Sequence, residues 1–160
     1  MIAKFLIIVL VLLGLSLPVL ALEGWRLGAG LSNSGGKRAS VTFKYWITED
    51  KAVDFNGRFG YDSLFSAGYL SHHFLTVKIP RLGHWDRHWG TGIFVHNNKN
   101  GDSDADDHGI YVKYGFGYMF EIFPCELFAD VGPGWGLKQE EFRWVGGIGA
   151  RCYFGTKATY

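Results

Sequence analysis
The chain has 160 residues, of which 23 are glycine, 17% aromatic and 19% charged, with 2 cysteines and a formal charge of +1. Glycine at roughly twice ordinary usage, without a triplet period, excludes collagen, and the aromatics exclude low-complexity disorder. Two cysteines are too few for a disulfide scaffold, and a near-neutral chain offers no basic field for nucleic acid.

Residues 1–21 read as a cleavable signal peptide. Lys4 supplies a positive start, Phe5 to Leu17 form an apolar run, and Pro18 precedes the small-residue cleavage pattern Val19-Leu20-Ala21. A basic stop-transfer flank is missing, which argues against a membrane anchor, and no cysteine lies near the cleavage point to carry a lipid. Residues 22–160 then form one exported domain with equal numbers of basic and acidic residues.

Within that domain glycine interrupts almost every helical window, and period-two alternation takes over. Val41, Phe43, Tyr45 and Ile47 alternate with Ser40, Thr42, Lys44 and Trp46. Val53, Phe55, Phe59 and Tyr61 stand opposite Asp54, Asn56, Arg58 and Gly60. Ile110, Val112, Tyr114, Phe116 and Tyr118 stand opposite Gly109, Tyr111, Lys113, Gly115 and Gly117. The pattern predicts eight strands near 25–33, 38–47, 51–61, 64–76, 87–97, 108–118, 125–132 and 142–154. Turn-like separators divide them, among them Ser34-Gly35-Gly36, Thr48-Glu49-Asp50 and Gly132-Pro133-Gly134.

One face of these strands is large and apolar. The other mixes glycine with Arg26, Lys44, Asp54, Arg58, Lys113, Glu126, Asp130, Arg143 and Arg151. A soluble, lipocalin-like barrel would put the apolar face inside and the charges outside. Small charged residues among glycines suit a narrow lumen instead, with the apolar face toward lipid. The expected fold is therefore all-β: an eight-stranded antiparallel up-and-down transmembrane β-barrel. Eight strands of ~10 residues need ~80 residues, which the exported domain accommodates. The longest and most acidic loop, Asn97 to Asp107, falls on the outward side if both termini are periplasmic. Trp25, Tyr45, Tyr61, Trp85, Trp89, Tyr118, Trp144 and Tyr153 would form two interfacial girdles.

The segment Lys44-Tyr45-Trp46-Ile47-Thr48-Glu49-Asp50-Lys51-Ala52-Val53-Asp54-Phe55 resembles the second hairpin of a family of small, uncharacterised bacterial outer-membrane barrels. Ala67-Gly68-Tyr69-Leu70-Ser71-His72-His73, Cys125-Glu126-Leu127-Phe128-Ala129-Asp130-Val131-Gly132-Pro133 and the closing Gly146 to Phe154 are similar as well. That family is similar in architecture to the OmpA transmembrane domain. The resemblance implies a fold and a Gram-negative outer membrane, and it implies no active site. It also implies a last strand ending on an aromatic residue read by the barrel-insertion machinery. Phe154 fits that place, with six residues following it.

Candidate chemistry is sparse. Asp102, Asp104 and Asp106 have an Asp-x-Asp-x-Asp spacing, but Asp107 and Lys113 stand where a calcium loop needs Gly and Glu, so a solvated acidic loop is expected. His84, Asp86 and His88 would share one face of a strand and could hold zinc. With Trp85 and Trp89 interleaved, the expected reading is a wet turn beside an aromatic girdle, with no metal site. Of His72 and His73, at most one can reach the lumen. His96 invites comparison with lipid A deacylase barrels, which place a Ser two residues after a rim His; here that position is Asn98. Cys125 and Cys152 share the outward face by parity and are read as two lipid-facing thiols, with a disulfide left to the strand register.

The sequence thus points to a structural or interaction barrel without catalytic activity or cofactor. Its partners would be outer-membrane lipids and lipopolysaccharide, with the insertion machinery during biogenesis and no nucleic acid, and it would be a monomer. The lumen would be charged and plugged, with six cations against three acids. The alternatives are a lipid-modifying enzyme using His96, or a barrel that binds a small apolar ligand or forms a narrow anion-preferring pore.

Overall fold
The structure is a computed structural model and describes residues 27–34, 39–60, 62–79, 83–98, 106–120 and 122–154. The expected signal peptide at 1–21, Trp25, Arg26, Tyr61, Asp102, Asp104 and the residues after Phe154 lie outside the described residues.

Eight strands follow in chain order: β1 Leu27–Ser34, β2 Ala39–Trp46, β3 Lys51–Arg58, β4 Asp62–Ile79, β5 Gly83–Asn98, β6 Asp107–Phe120, β7 Cys125–Gly136 and β8 Phe142–Phe154. Each pairs antiparallel with the next, and β1 pairs with β8, so the sheet closes. Closure is what allows strands to stand in lipid, because no edge is left with unpaired backbone groups. Among the described residues no helix is long and apolar enough to cross a membrane.

Strand number and order follow the alternation, but several ends differ from the expectation. β5 begins at Gly83 and not at 87, and β4 runs on to Ile79, with a register shift between Phe74 and Lys78. His84, Asp86 and His88 look too polar for a strand start only if both faces must be apolar; the inner face of this barrel carries no such requirement. β7 likewise continues through Gly132-Pro133-Gly134 to Gly136. Pro133 has no N–H to donate, and the β6·β7 ladder passes over this place, from Tyr111↔Gly134 to Tyr114↔Val131.

The burial pattern is inverted relative to a soluble barrel. Ile148, Trp144 and Leu31 are 72%, 68% and 63% exposed on the outer face. Lys44, Asp54, Glu126 and Arg151 are at most 2% exposed inside. Strict alternation over β6 and β7 carries the inversion, one residue out and the next in. Inside, an apolar cluster of Trp46, Ala52, Leu70 and Tyr153 lies toward the end holding the chain termini, and a second of Phe94, Tyr111 and Val145 lies toward the far rim. Tyr153 therefore belongs to the interior and not to a girdle. Glycine opposite a large side chain keeps the bore packed: a β-carbon at Gly92 would lie 2.6 Å from the Tyr111 ring.

At the end with the termini, β2 and β3 are joined by a tight turn in which Ile47 N–H donates to the Lys51 carbonyl at 2.8 Å. The Lys51 ammonium and the Thr48 hydroxyl bond to Asp50 and hold its carboxyl below the ordinary range.

The expectation of two lipid-facing thiols is corrected. Cys125 and Cys152 stand directly opposite in the β7·β8 register and form a disulfide, with Cα atoms 4.0 Å apart. Parity places both on the outer face; register, which alternation leaves undetermined, makes them neighbours. Alkylation of the unfolded, unreduced protein should add no mass, whereas alkylation after reduction should modify both cysteines.

Candidate functional site: the charged lumen
The inner face gathers ionisable groups from β2 to β8. Lys44 on β2 donates to Glu126 on β7 at 2.8 Å. Glu126 also faces Arg151 on β8 at 3.5 Å and accepts a hydrogen bond from the Tyr153 hydroxyl. Arg151 donates to Thr42 at 2.8 Å, lies 3.9 Å from Asp54 on β3, and covers the Phe128 ring with its guanidinium carbon 3.7 Å from the centroid. Lys113 on β6 bridges Asp54 at 2.6 Å and Asp130 at 3.1 Å. Each ion pair joins different strands, so the network ties the wall together across its bore.

A second group sits at the far rim. Arg58 pairs with Asp62 at 3.0 Å, Asp62 accepts from His96 Nε2 at 2.5 Å, and Arg143 donates to His96 Nδ1 at 2.8 Å. Arg143 further reaches Gln139 at 2.5 Å and Asp107 at 3.6 Å. Asp107 accepts backbone hydrogen bonds from His108 and Lys138 at 2.9 and 3.1 Å, which fastens the β7–β8 connection to β6.

These contacts place the residues singled out in the sequence. Lys44, Asp54, Arg58, Lys113, Glu126, Asp130, Arg143 and Arg151 all lie on the lumen side. His96 also points inward, away from the lipid-facing rim where a deacylase places its histidine. Both its ring nitrogens are engaged, so no lone pair is left to act as a general base. Asp106 is exposed just before β6, apart from the lumen.

Other residues were missed. Asp86 and Asp107 are 4% and 2% exposed inside, and they reduce the expected cation excess, of which Arg26 lies outside the described residues. Among the described residues Lys44, Arg58, Lys113, Arg143 and Arg151 face as many buried carboxylates: Asp54, Asp86, Asp107, Glu126 and Asp130. His72 and His88 are buried as well, beside Asp86, where a wet turn was expected. Extending the alternation of Ile93, Val95 and Phe94 back to Gly83 was the signal that could have found Asp86 and His88. His73 points outward, so only His72 of that pair reaches the lumen.

A cavity of about 20 Å³, room for roughly one water, lies between Lys113, Asp130, Ser66 and Asn56.

Comparison of the whole backbone decides the architecture. The N-terminal β-barrel domain of Pseudomonas aeruginosa OprF superposes with a TM-score of 0.57 at 18% identity, over 81% of this chain and 96% of that one. The fold is the OmpA-type eight-stranded barrel. No family model matches the chain, and no curated protein does.

In such a barrel Lys113 is the cation on which two buried carboxylates depend. Lys113→Ala should lower the unfolding free energy by about 3–5 kcal/mol, because it takes their nearest cation from the buried Asp54 and Asp130. Lys51→Ala, at a solvated turn, should change it by less than about 1 kcal/mol. Urea titration of the detergent-folded protein, followed by the heat-dependent gel shift, measures both.

Proposed function
We propose that the protein is a structural or interaction component of the bacterial outer membrane, held there as a monomeric barrel with a plugged lumen. The end carrying the termini faces the periplasm, and the long acidic connection between β5 and β6 faces outward. Its outer face contacts membrane lipid, and its outer rim meets lipopolysaccharide. The observation carrying this reading is the charge-balanced interior. Cations and acids are paired across strands, and the cavity beside Lys113 and Asp130 is water-sized. A pore needs a continuous bore, and an anion-preferring one needs surplus cations.

Catalysis on outer-leaflet lipid finds little support. His96 is held by Asp62 and Arg143 on the inner side, and the position two residues later is Asn98. A ligand-binding barrel needs a cavity far larger than the one described.

The protein should fractionate with the outer membrane and run as a heat-modifiable band in detergent; recovery as a soluble periplasmic species would overturn the reading. Planar bilayers should show no stable channel, and a current whose ion preference responds to Arg143→Glu would favour the pore. Lipid A mass spectra should be identical with and without the protein, whereas a difference abolished by His96→Ala would establish the enzyme.

A further inference from the structure
His72, Asp86 and His88 form a compact donor set inside the barrel, near the end carrying the chain termini. His72 on β4 and His88 on β5 are direct register partners, and Asp86 lies two residues before His88 on the same inner face. One donor atom from each residue lies within 4.8 Å of the other two, and all three side chains are buried. His72 Nδ1 bonds to Asp86 Oδ2, and His88 Nδ1 approaches the same oxygen at 3.5 Å. The imidazoles lie with centroids 4.9 Å apart.

Three further observations point to a cation. His72 Nε2 and His88 Nδ1 are buried without a hydrogen-bond partner, although their residues are 1% and 2% exposed. A satisfied core histidine would engage both nitrogens, as His96 does. Next, Asp86 differs from the other acids of the central network. Glu126, Asp54 and Asp130 each face a lysine or arginine, whereas the ion-pair partners of Asp86 among the described residues are the two imidazoles. The neighbouring cation Lys44 is committed to Glu126 at 2.8 Å. Finally, the adjoining strand is cut back. Gly117 and Gly115 are the β6 partners of Asp86 and His88, and a β-carbon at either would run into the Asp86 carboxylate or the His88 ring.

We propose that His72, Asp86 and His88 bind a single divalent transition-metal ion of the zinc class. Two imidazole nitrogens and one carboxylate are a donor set suited to zinc, with water completing a tetrahedron. Ligand atoms around a tetrahedral zinc stand roughly 3.3 Å apart, so binding replaces the direct His72–Asp86 hydrogen bond and needs small side-chain shifts. The neutral His72 ring gives the metal the lone pair of one nitrogen and keeps its proton on the other, so a proton leaves to solvent only where the ring starts as imidazolium. The backbone N–H of His72 donates to the Asp50 carbonyl at 2.7 Å, which sets the site just inside the β2–β3 turn and within reach of that rim. The ion would staple β4 to β5 and neutralise Asp86. A protonated imidazole would supply the same charge without metal, and the experiment separates the two.

Untagged protein purified from membranes in detergent and stripped with chelator is titrated with zinc against a chromophoric competitor, and separately with cobalt. Folding of each variant is read from its heat-modifiable band. The unaltered protein and His73→Gln should bind one equivalent of zinc, and cobalt should give the visible absorption of a tetrahedral site. Supporting partners of metal ligands are already worth ~10–100-fold in affinity, so His72→Gln and His88→Gln should weaken zinc by at least ~100-fold. Should His72→Gln fail to fold, His88→Gln and the cobalt spectrum each decide the matter. The absence of saturable zinc uptake by the folded protein overturns the proposal, as does equal uptake by the folded His88→Gln variant.

Discussion
The constraint on which the rest of the structure depends is that charge inside this barrel must be neutralised across strands. In the membrane setting proposed above the outer face meets hydrocarbon, so most ionisable side chains on the strands turn inward, and eight strands enclose too little water to solvate them. Lys44 with Glu126, Lys113 with Asp54 and Asp130, and Arg151 with Glu126 answer that constraint. Each pair needs one register between its strands, because a slip of one residue would send one partner toward lipid. Buried pairs of this kind add little net stability over apolar packing, but they penalise wrong arrangements heavily.

Packing follows from the same geometry. A narrow lumen cannot hold large side chains on all strands at one level, so large residues face glycines. Tyr111 fills space left by Gly68 and Gly92, and the β1 segment Leu27–Ser34 brings small or apolar residues and no charge. The surplus glycine and the surplus aromatics are thus two sides of one fit. The disulfide stands apart from this interior logic: it joins β7 to β8 on the outer face, where a thiol pair of correct parity meets a register that brings it together.

The two polar groups of the lumen differ in kind. At the far rim His96 is saturated between Asp62 and Arg143, and the network there fastens connections to the wall. Toward the other end His72 and His88 keep unpartnered nitrogens around a carboxylate that faces no lysine or arginine among the described residues. The first arrangement is complete as it stands, and the second has chemistry in reserve. Both lie within an architecture shared with the OprF barrel domain at 18% identity, a likeness that speaks for the fold alone.

Alternation by itself determined the strand number, the closed inside-out barrel and the inward placement of Lys44, Asp54, Arg58, Lys113, Glu126, Asp130, Arg143 and Arg151. It could do so because facing is local: a residue's side of the sheet depends only on its parity along the strand. It failed where the polar inner face reached a strand end, so that Asp86 and His88 were read as part of a turn, and at Pro133, which the strand tolerates at a gap in the ladder. Partnership is a different kind of fact. That Cys125 meets Cys152, that Asp107 balances Arg143 and that His72 stands beside His88 depend on register between strands, and His72 and His88 are separated by the whole of the β4–β5 hairpin. Only closure of the sheet set those registers, because backbone hydrogen bonds fit equally well at many offsets and the side chains choose among them once the barrel is formed.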